Sequence, residues 1–174
     1  APAPQAAVAS HGRLFMAFGH VAWHEREEEG IDTLIAVNGF NGMQLWKRKL
    51  PPGIMVDRCT MIATPKTLYL ADDKSCKLID AATGKITSEI APPQKLTGGT
   101  FWKWMALQDG VLYALVGQAE TADKQARWRK ERHGWPWDGI SQKYNQPKYT
   151  WGFGRTLVAI DPATKKVLWS HSED

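Results

Sequence analysis

One phrase recurs three times along this chain and limits what the chain can fold into. It reads TLIAVNGFNGMQLW over 33–46, CKLIDAATGKITS over 76–88 and TLVAIDPATKKVLW over 156–169. Each copy runs from apolar residues into Asn or Asp and then a turn. The first and last copies add a Trp eight positions past the anchor. The anchors Asn38, Asp80 and Asp161 lie 42 and 81 positions apart. The second interval is therefore one period plus an insertion of about 39 residues, and a period of this length marks a repeat architecture.

Four apolar pieces surround each anchor. The first unit offers AAVAS, RLFMAFG, TLIAVNG and MQLWKRKL; the second, CTMIATP, TLYLADD, CKLIDAAT and KITSEI; the third, WKWMALQ, VLYALVG, RTLVAID and KVLWSHS. Each is short, rich in β-branched and aromatic residues, and bounded by turn residues such as Pro-Lys and Thr-Gly. Such runs are antiparallel strands joined as hairpins. Four of them every forty-odd residues make a β-propeller blade. The expected fold is all-β: an incomplete propeller of about three four-stranded antiparallel blades, with a Trp-rich insertion in the last. Residues 1–10 read as a linker-like end. Blade 1 covers 5–52 with an insertion at 20–32, blade 2 covers 53–92, and blade 3 covers 93–174 with an insertion at 118–154. Only AETADKQARWRKER (119–132), inside that insertion, has the period of a short helix.

The anchor has a mechanical role. Asp or Asn ends the third strand and caps the turn with its side chain, while Gly four positions on takes the positive φ the hairpin requires. Trp46 and Trp169 are then expected to lie across the outer strand and cover the seam with the next blade.

At these residues the chain resembles the tryptophan-docking repeat of the PQQ-like quinoprotein propellers, and in particular the large PQQ-binding-like repeat proteins of bacteria such as planctomycetes. The match runs through Ala36, Asn38, Gly42 and Trp46, through Asp80, Thr83 and Gly84, and through Ala159, Asp161, Thr164 and Trp169. It departs at Asn38 for Asp, Asn41 for Thr, Ser88 for Trp and Lys165 for Gly. The resemblance implies a ring of eight blades, of which this chain supplies three. It also implies a periplasmic or otherwise exported bacterial location, and PQQ with Ca²⁺ as the cofactor possible in the full-length parent. The remaining blades, or another protein, are the expected partners at the exposed blade faces, and a small-molecule ligand is a further one.

Composition narrows the partners. The net charge is +4, with an acidic stretch at 24–32 and a basic, aromatic one at 124–135. The basic stretch sits in one insertion and lacks any companion nucleic-acid motif, so no nucleic-acid partner is expected. No run of eighteen apolar residues exists, so no membrane span is expected either.

Topology points to where a ligand would sit. With strands A to D counted outward from the axis, both insertions fall between B and C, on the same end as the D-to-A links 51–58 and 91–103. That end is elaborated; the turn end is plain. Asp57, Arg58, Trp102 and Lys103 close the two links near the channel. They suit a planar anion such as a quinone carboxylate, or else an ion pair and an aromatic wedge between blades. His133, Trp135, Trp137 and Asp138 in RHGWPWDG fit a lid or a sugar-stacking platform, or a loop packed on its own tryptophans. His24, with His20 in HVAWH, faces the same end; without a third ligand the pair predicts no metal site. Cys59 and Cys76 flank strand B of one blade, too far apart for a disulfide, so both are expected as thiols. Neither paired adjacent cysteines nor a haem-attachment sequence occurs.

Two functional readings follow. In the first the chain is a binding and assembly scaffold, similar to the β-barrel-assembly lipoprotein that shares the repeat without a cofactor. In the second it is part of a PQQ-dependent dehydrogenase acting on alcohols or sugars.

Overall fold

The computed structural model describes residues 4–18, 32–51, 58–71, 74–117 and 156–172. These form twelve strands in three sheets, each sheet a four-stranded antiparallel meander. The first holds β1 (Pro4–Ser10), β2 (Arg13–Phe18), β3 (Thr33–Asn38) and β4 (Gln44–Lys49). The second holds β5 (Met61–Ala63), β6 (Thr67–Ala71), β7 (Cys76–Asp80) and β8 (Ile86–Ile90). The third holds β9 (Phe101–Gln108), β10 (Val111–Gly117), β11 (Thr156–Asp161) and β12 (Lys166–Ser172). The first strands of the three sheets, β1, β5 and β9, lie side by side. The sheets thus fan out from a shared hub.

AAVAS, the expected first strand, lies within β1, which begins at Pro4 inside the linker-like end and pairs with β2. The link before β9 carries a single helical turn, α1 (Gln94–Thr97), ended by Gly98 in the left-handed conformation at φ 68. Four residues are too few to show a helical period, and local bonds make this turn: the Thr97 hydroxyl donates to the Pro93 and Gly99 carbonyls at 3.2 and 2.6 Å. The expected helix at 119–132 lies outside the described residues. Cys59 and Cys76 are thiols and not a disulfide, with β6 between β5 and β7 as the meander requires.

Side-chain alternation places the core in the seams between blades. Phe15, Ala17, Ala36 and Trp46 of blade 1 meet Met61, Leu68, Leu70 and Ile79 of blade 2. Tyr69, Ala71, Cys76 and Ile90, from the other side of blade 2, meet Met105, Leu112, Ala114 and Val158 of blade 3. Blade 2 is therefore covered on both faces. This is why β6 reads TLYLA without polar alternation, with its last four residues all buried. In β10 only the positions facing blade 2 are fully buried along most of its length. Each fully buried Leu or Phe contributes about 1.5–3 kcal/mol, so the seams are the main source of stability.

A bulge recurs at one place in all three blades. The register between the third and fourth strands shifts between Ala36 and Val37, between Leu78 and Ile79, and between Ala159 and Ile160. In blade 1, Val37 pairs with Gln44 and Ala36 with Trp46, which leaves Leu45 as the extra residue. On a regular strand residues 44 and 46 would share a face; the bulge puts them on opposite faces and turns Trp46 into the seam.

Candidate functional site

The two ends of the fan are built differently. At the plain end the short turns are pinned to one another. Gly39 N–H donates to the Gly12 carbonyl at 2.7 Å, Ala81 N–H to the Lys66 carbonyl at 2.9 Å, and the Arg13 guanidinium reaches the Pro65 carbonyl of the next blade at 3.2 Å. The opposite end carries α1 and an open groove of about 720 Å³ between the β6–β7 turn and the β8–β9 link. Lys74, Pro92, Pro93, Lys95 and Thr100 line it, so two lysines and two prolines share its wall.

The proposed ligand residues are distributed unevenly around that end. Trp102 and Lys103 open β9. Trp102 lies in the core between blades 2 and 3, 2% exposed, and its buried indole Nε1 meets no acceptor. Lys103 is half-buried. Arg58 starts a 3-10 turn at Arg58–Thr60, beside the hub strands. Asp57, His20, His24, His133, Trp135, Trp137 and Asp138 lie outside the described residues. Among the described residues no group of three His, Cys, Asp or Glu stands together. Trp102 is a poor fit to PQQ, a planar tricarboxylate: its ring is covered by the seam and offers no face to stack a quinone.

The anchor residues form a well-defined joint. In blade 2 the Asp80 carboxylate accepts from Thr83 N–H at 2.7 Å, from the Thr83 hydroxyl at 2.7 Å and from Ala82 N–H at 3.2 Å. The Thr83 hydroxyl, with these backbone donors behind it, holds the carboxyl below the usual Asp range. Asp161 is lowered in the same way, first by the Thr164 hydroxyl and then by Ala163 N–H. Asn38, neutral, accepts only from Phe40 N–H among the bonds of this turn, at 2.9 Å, and Asn41 caps Met43. In every blade the residue four past the anchor donates its N–H back to the anchor carbonyl at 2.7–2.8 Å. That residue is Gly42, Gly84 or Lys165, all with positive φ: 72, 72 and 61.

Trp46 of blade 1 crosses the seam to the blade 2 turn. Its Nε1 donates to the Ala81 carbonyl at 3.1 Å, and Arg48 donates to the Gly84 carbonyl at 2.9 Å. A Cβ built on Gly84 would sit 2.7 Å from the indole. Gly84 thus serves its turn through φ and its neighbour by lacking a side chain. Phe15 closes the other side, with ring centroids 5.9 Å apart. Trp46 is 9% exposed.

The next seam is built without an outer-strand indole. Ser88 occupies the Trp position of blade 2, and the receiving turn of blade 3 carries Lys165. Along the matching ladder row, blade 1 has Phe15, Ala36 and Trp46; blade 2 has Tyr69, Leu78 and Ser88; blade 3 has Tyr113, Ala159 and Trp169. Where Trp becomes Ser, the adjacent Ala becomes Leu, and Leu78 packs on the core of blades 2 and 3. The sequence signal for this exchange was present in the aligned copies at Leu78. The acceptor role of Ala81 and the reach of Arg48 carried no local signal, because they depend on which turn faces which strand.

Trp169 occupies the same row position at the far edge of blade 3. It rests on Tyr113 at 6.0 Å between centroids and remains 46% exposed. Among the described residues no further blade packs on it.

Solved structures with the same arrangement agree with this geometry. The chain superposes on the Neurospora crassa Pan2 WD40 domain with a TM-score of 0.54 at 8% identity, over 99% of this chain and 39% of that one. This is an incomplete β-propeller. It also matches Kuenenia stuttgartiensis hydrazine synthase, with a TM-score of 0.56 at 12% identity, over 98% of this chain and 37% of that one. A europium-containing methanol dehydrogenase matches with a TM-score of 0.50 at 13% identity, over 97% of this propeller segment and 32% of that chain. The chain thus spans 32–39% of the length of these neighbours. No protein-family model and no curated protein sequence matches it. At these identities the likeness defines the fold.

Proposed function

We propose that the chain acts as a binding and assembly scaffold: a propeller segment of PQQ-like, tryptophan-docking type whose uncovered blade faces take further blades or another protein. The observation that carries this reading is the placement of its exposed apolar side chains. Met43 (66%) and Leu45 (45%) stand at the first blade, and Trp104 (37%), Leu168 (54%) and Trp169 (46%) at the last. Ile86 (37%) and Leu96 (51%) are exposed singly in the middle of the fan, as is ordinary, whereas Trp104 and Trp169 share the face of blade 3 turned away from blade 2 and mark a surface made to be covered. In this reading the groove at the elaborated end, with the insertions beside it, is the place for a small-molecule ligand. The protein works in the bacterial periplasm or another exported location. No helix among the described residues is long and apolar enough to cross a membrane.

The dehydrogenase reading draws on one observation, the buried Trp102 Nε1 without an acceptor beside the hub. The scaffold reading is favoured because Trp102 is committed to the seam. Adding PQQ and Ca²⁺ to the longest available form of the protein and following quinone absorbance and dye reduction with alcohols separates the two. The scaffold reading expects no bound quinone spectrum and no turnover. Stoichiometric PQQ with alcohol-dependent dye reduction would replace it with the enzyme.

A further inference from the structure

The joint between blades 1 and 2 has two halves, and each open end of the fan carries one of them. The donating half is an indole eight residues past the anchor, turned into the seam by the bulge. The receiving half is an anchor turn with Gly four residues past the anchor. Trp169 is a donating half with nothing to enter. Gly42 is a receiving half with nothing on it among the described residues: its φ is 72 and a Cβ there would meet none of their atoms within 4 Å. Gly84, by contrast, is buried beneath Trp46, and its Cβ would collide with the ring. The turn without an indole, in blade 3, has abandoned Gly for Lys165 while keeping the same positive φ. A glycine at position 42 is therefore not required by its turn alone.

The surroundings of the two halves match as well. His171 stands ten past its anchor, where Arg48 stands in blade 1, and a ring N–H there can donate to the Gly42 carbonyl as Arg48 does to Gly84. Tyr113 backs Trp169 as Phe15 backs Trp46. The face of blade 3 around Trp169 presents Trp104, Leu115 and Leu157. The face of blade 1 beyond Gly42 presents Leu14, Met16, Ile35 and Val37, all partly exposed.

We infer that a second copy of this chain docks head to tail, with Trp169 of one copy seated on the Asn38–Gly42 turn of the next. The inference deepens the scaffold reading, because it names the occupant of the open faces. The contact is heterologous, so repetition gives a closed ring or an open string of copies, according to the angle per blade.

Sedimentation of the 174-residue chain up to about 100 µM tests it, with two variants copied from the seam that lacks the outer-strand indole. Trp169→Ser removes the donating half, as Ser88 does. Gly42→Lys blocks the receiving half, as Lys165 does in a turn of the same shape. The native chain is expected to exceed the monomer mass as concentration rises. Each variant alone is expected to stay monomeric while keeping its strand circular-dichroism signal and cooperative melting. An equimolar mixture of the two retains one intact half from each and is expected to form a 1:1 dimer. A monomeric native chain, association by either folded variant alone, or a mixture that stays monomeric would each overturn the second copy as occupant. If Gly42→Lys fails to fold, Gly42→Asn, which tolerates positive φ, replaces it. A monomeric result leaves the scaffold reading standing, since that reading answers to the PQQ titration.

Discussion

The two seams of this molecule solve one packing problem in different ways. Between blades 1 and 2 an indole reaches across, hydrogen-bonds to the neighbour's main chain and lies on a glycine. Between blades 2 and 3 no outer-strand indole crosses; Leu78 fills from within its own blade, and the facing turn tolerates Lys165. The three differences at the second seam belong together. A large outer-strand residue needs a small neighbour on the third strand and a bare backbone opposite. Losing it releases both positions. Departures from the repeat that look independent in sequence, at Leu78, Ser88 and Lys165, form one coordinated change.

The sharpest way to break the comparison is Trp46→Ala. Removing a side chain that is 9% exposed from the first core is expected to cost about 3–5 kcal/mol in chemical denaturation. Gly84→Ala should cost less after Trp46 has been removed than before, because its Cβ then meets no ring. Equal costs in both backgrounds would mean that Gly84 serves only its own turn.

Next in size is the attempt to convert one seam into the other. Ser88→Trp alone is expected to destabilise by about 1–3 kcal/mol through overpacking against Leu78 and Lys165. Adding Leu78→Ala and Lys165→Gly should recover most of that loss. A triple variant less stable than the single one would show that the two seams differ in backbone shape, not only in side chains.

Trp169→Ala should be milder than Trp46→Ala, although the repeat makes the two residues equivalent. At 46% exposed it buries about half as much ring, so a monomeric chain should lose only about 1–2 kcal/mol. A cost equal to that of Trp46 would mean that the indole is covered in solution.

The smallest effect is the dependence on pH. Asp80 and Asp161 have carboxyls lowered in the folded state by Thr83 and Thr164. A lowered folded-state value means that the unfolded chain takes up protons first. Their contribution is thus complete above the ordinary Asp value of about 4 and fades as pH falls below it. Melting temperature should decline gently from about pH 5 downward. Asp80→Asn with Asp161→Asn should flatten that decline, in keeping with Asn38, which already caps a turn without titrating.

Much of the scaffold was legible in the chain before folding. All twelve strands and their order follow from period-two alternation and turn residues, which are local signals. The caps at Asn38, Asp80 and Asp161 were legible for the same reason. The partner of Trp46 was not, because no local pattern says that an indole at 46 meets a turn some 35 residues on. The single turn of α1 was too short to announce itself. Of the ligand-end residues, Trp102 was legible as aromatic and hub-proximal. Its commitment to the core depends on blade 2 closing over it, which only tertiary structure shows.

The outer-strand bulge has a consequence for how such a molecule grows. Because a unit such as blade 1 carries both a latch, Trp46, and a catch, Gly42, copying it end to end supplies a ready-made fit to its neighbour. A tandem duplication therefore lengthens the fan without inventing a new surface. Decay of one latch frees only the unit that follows it to drift, and the rest of the array stays in step.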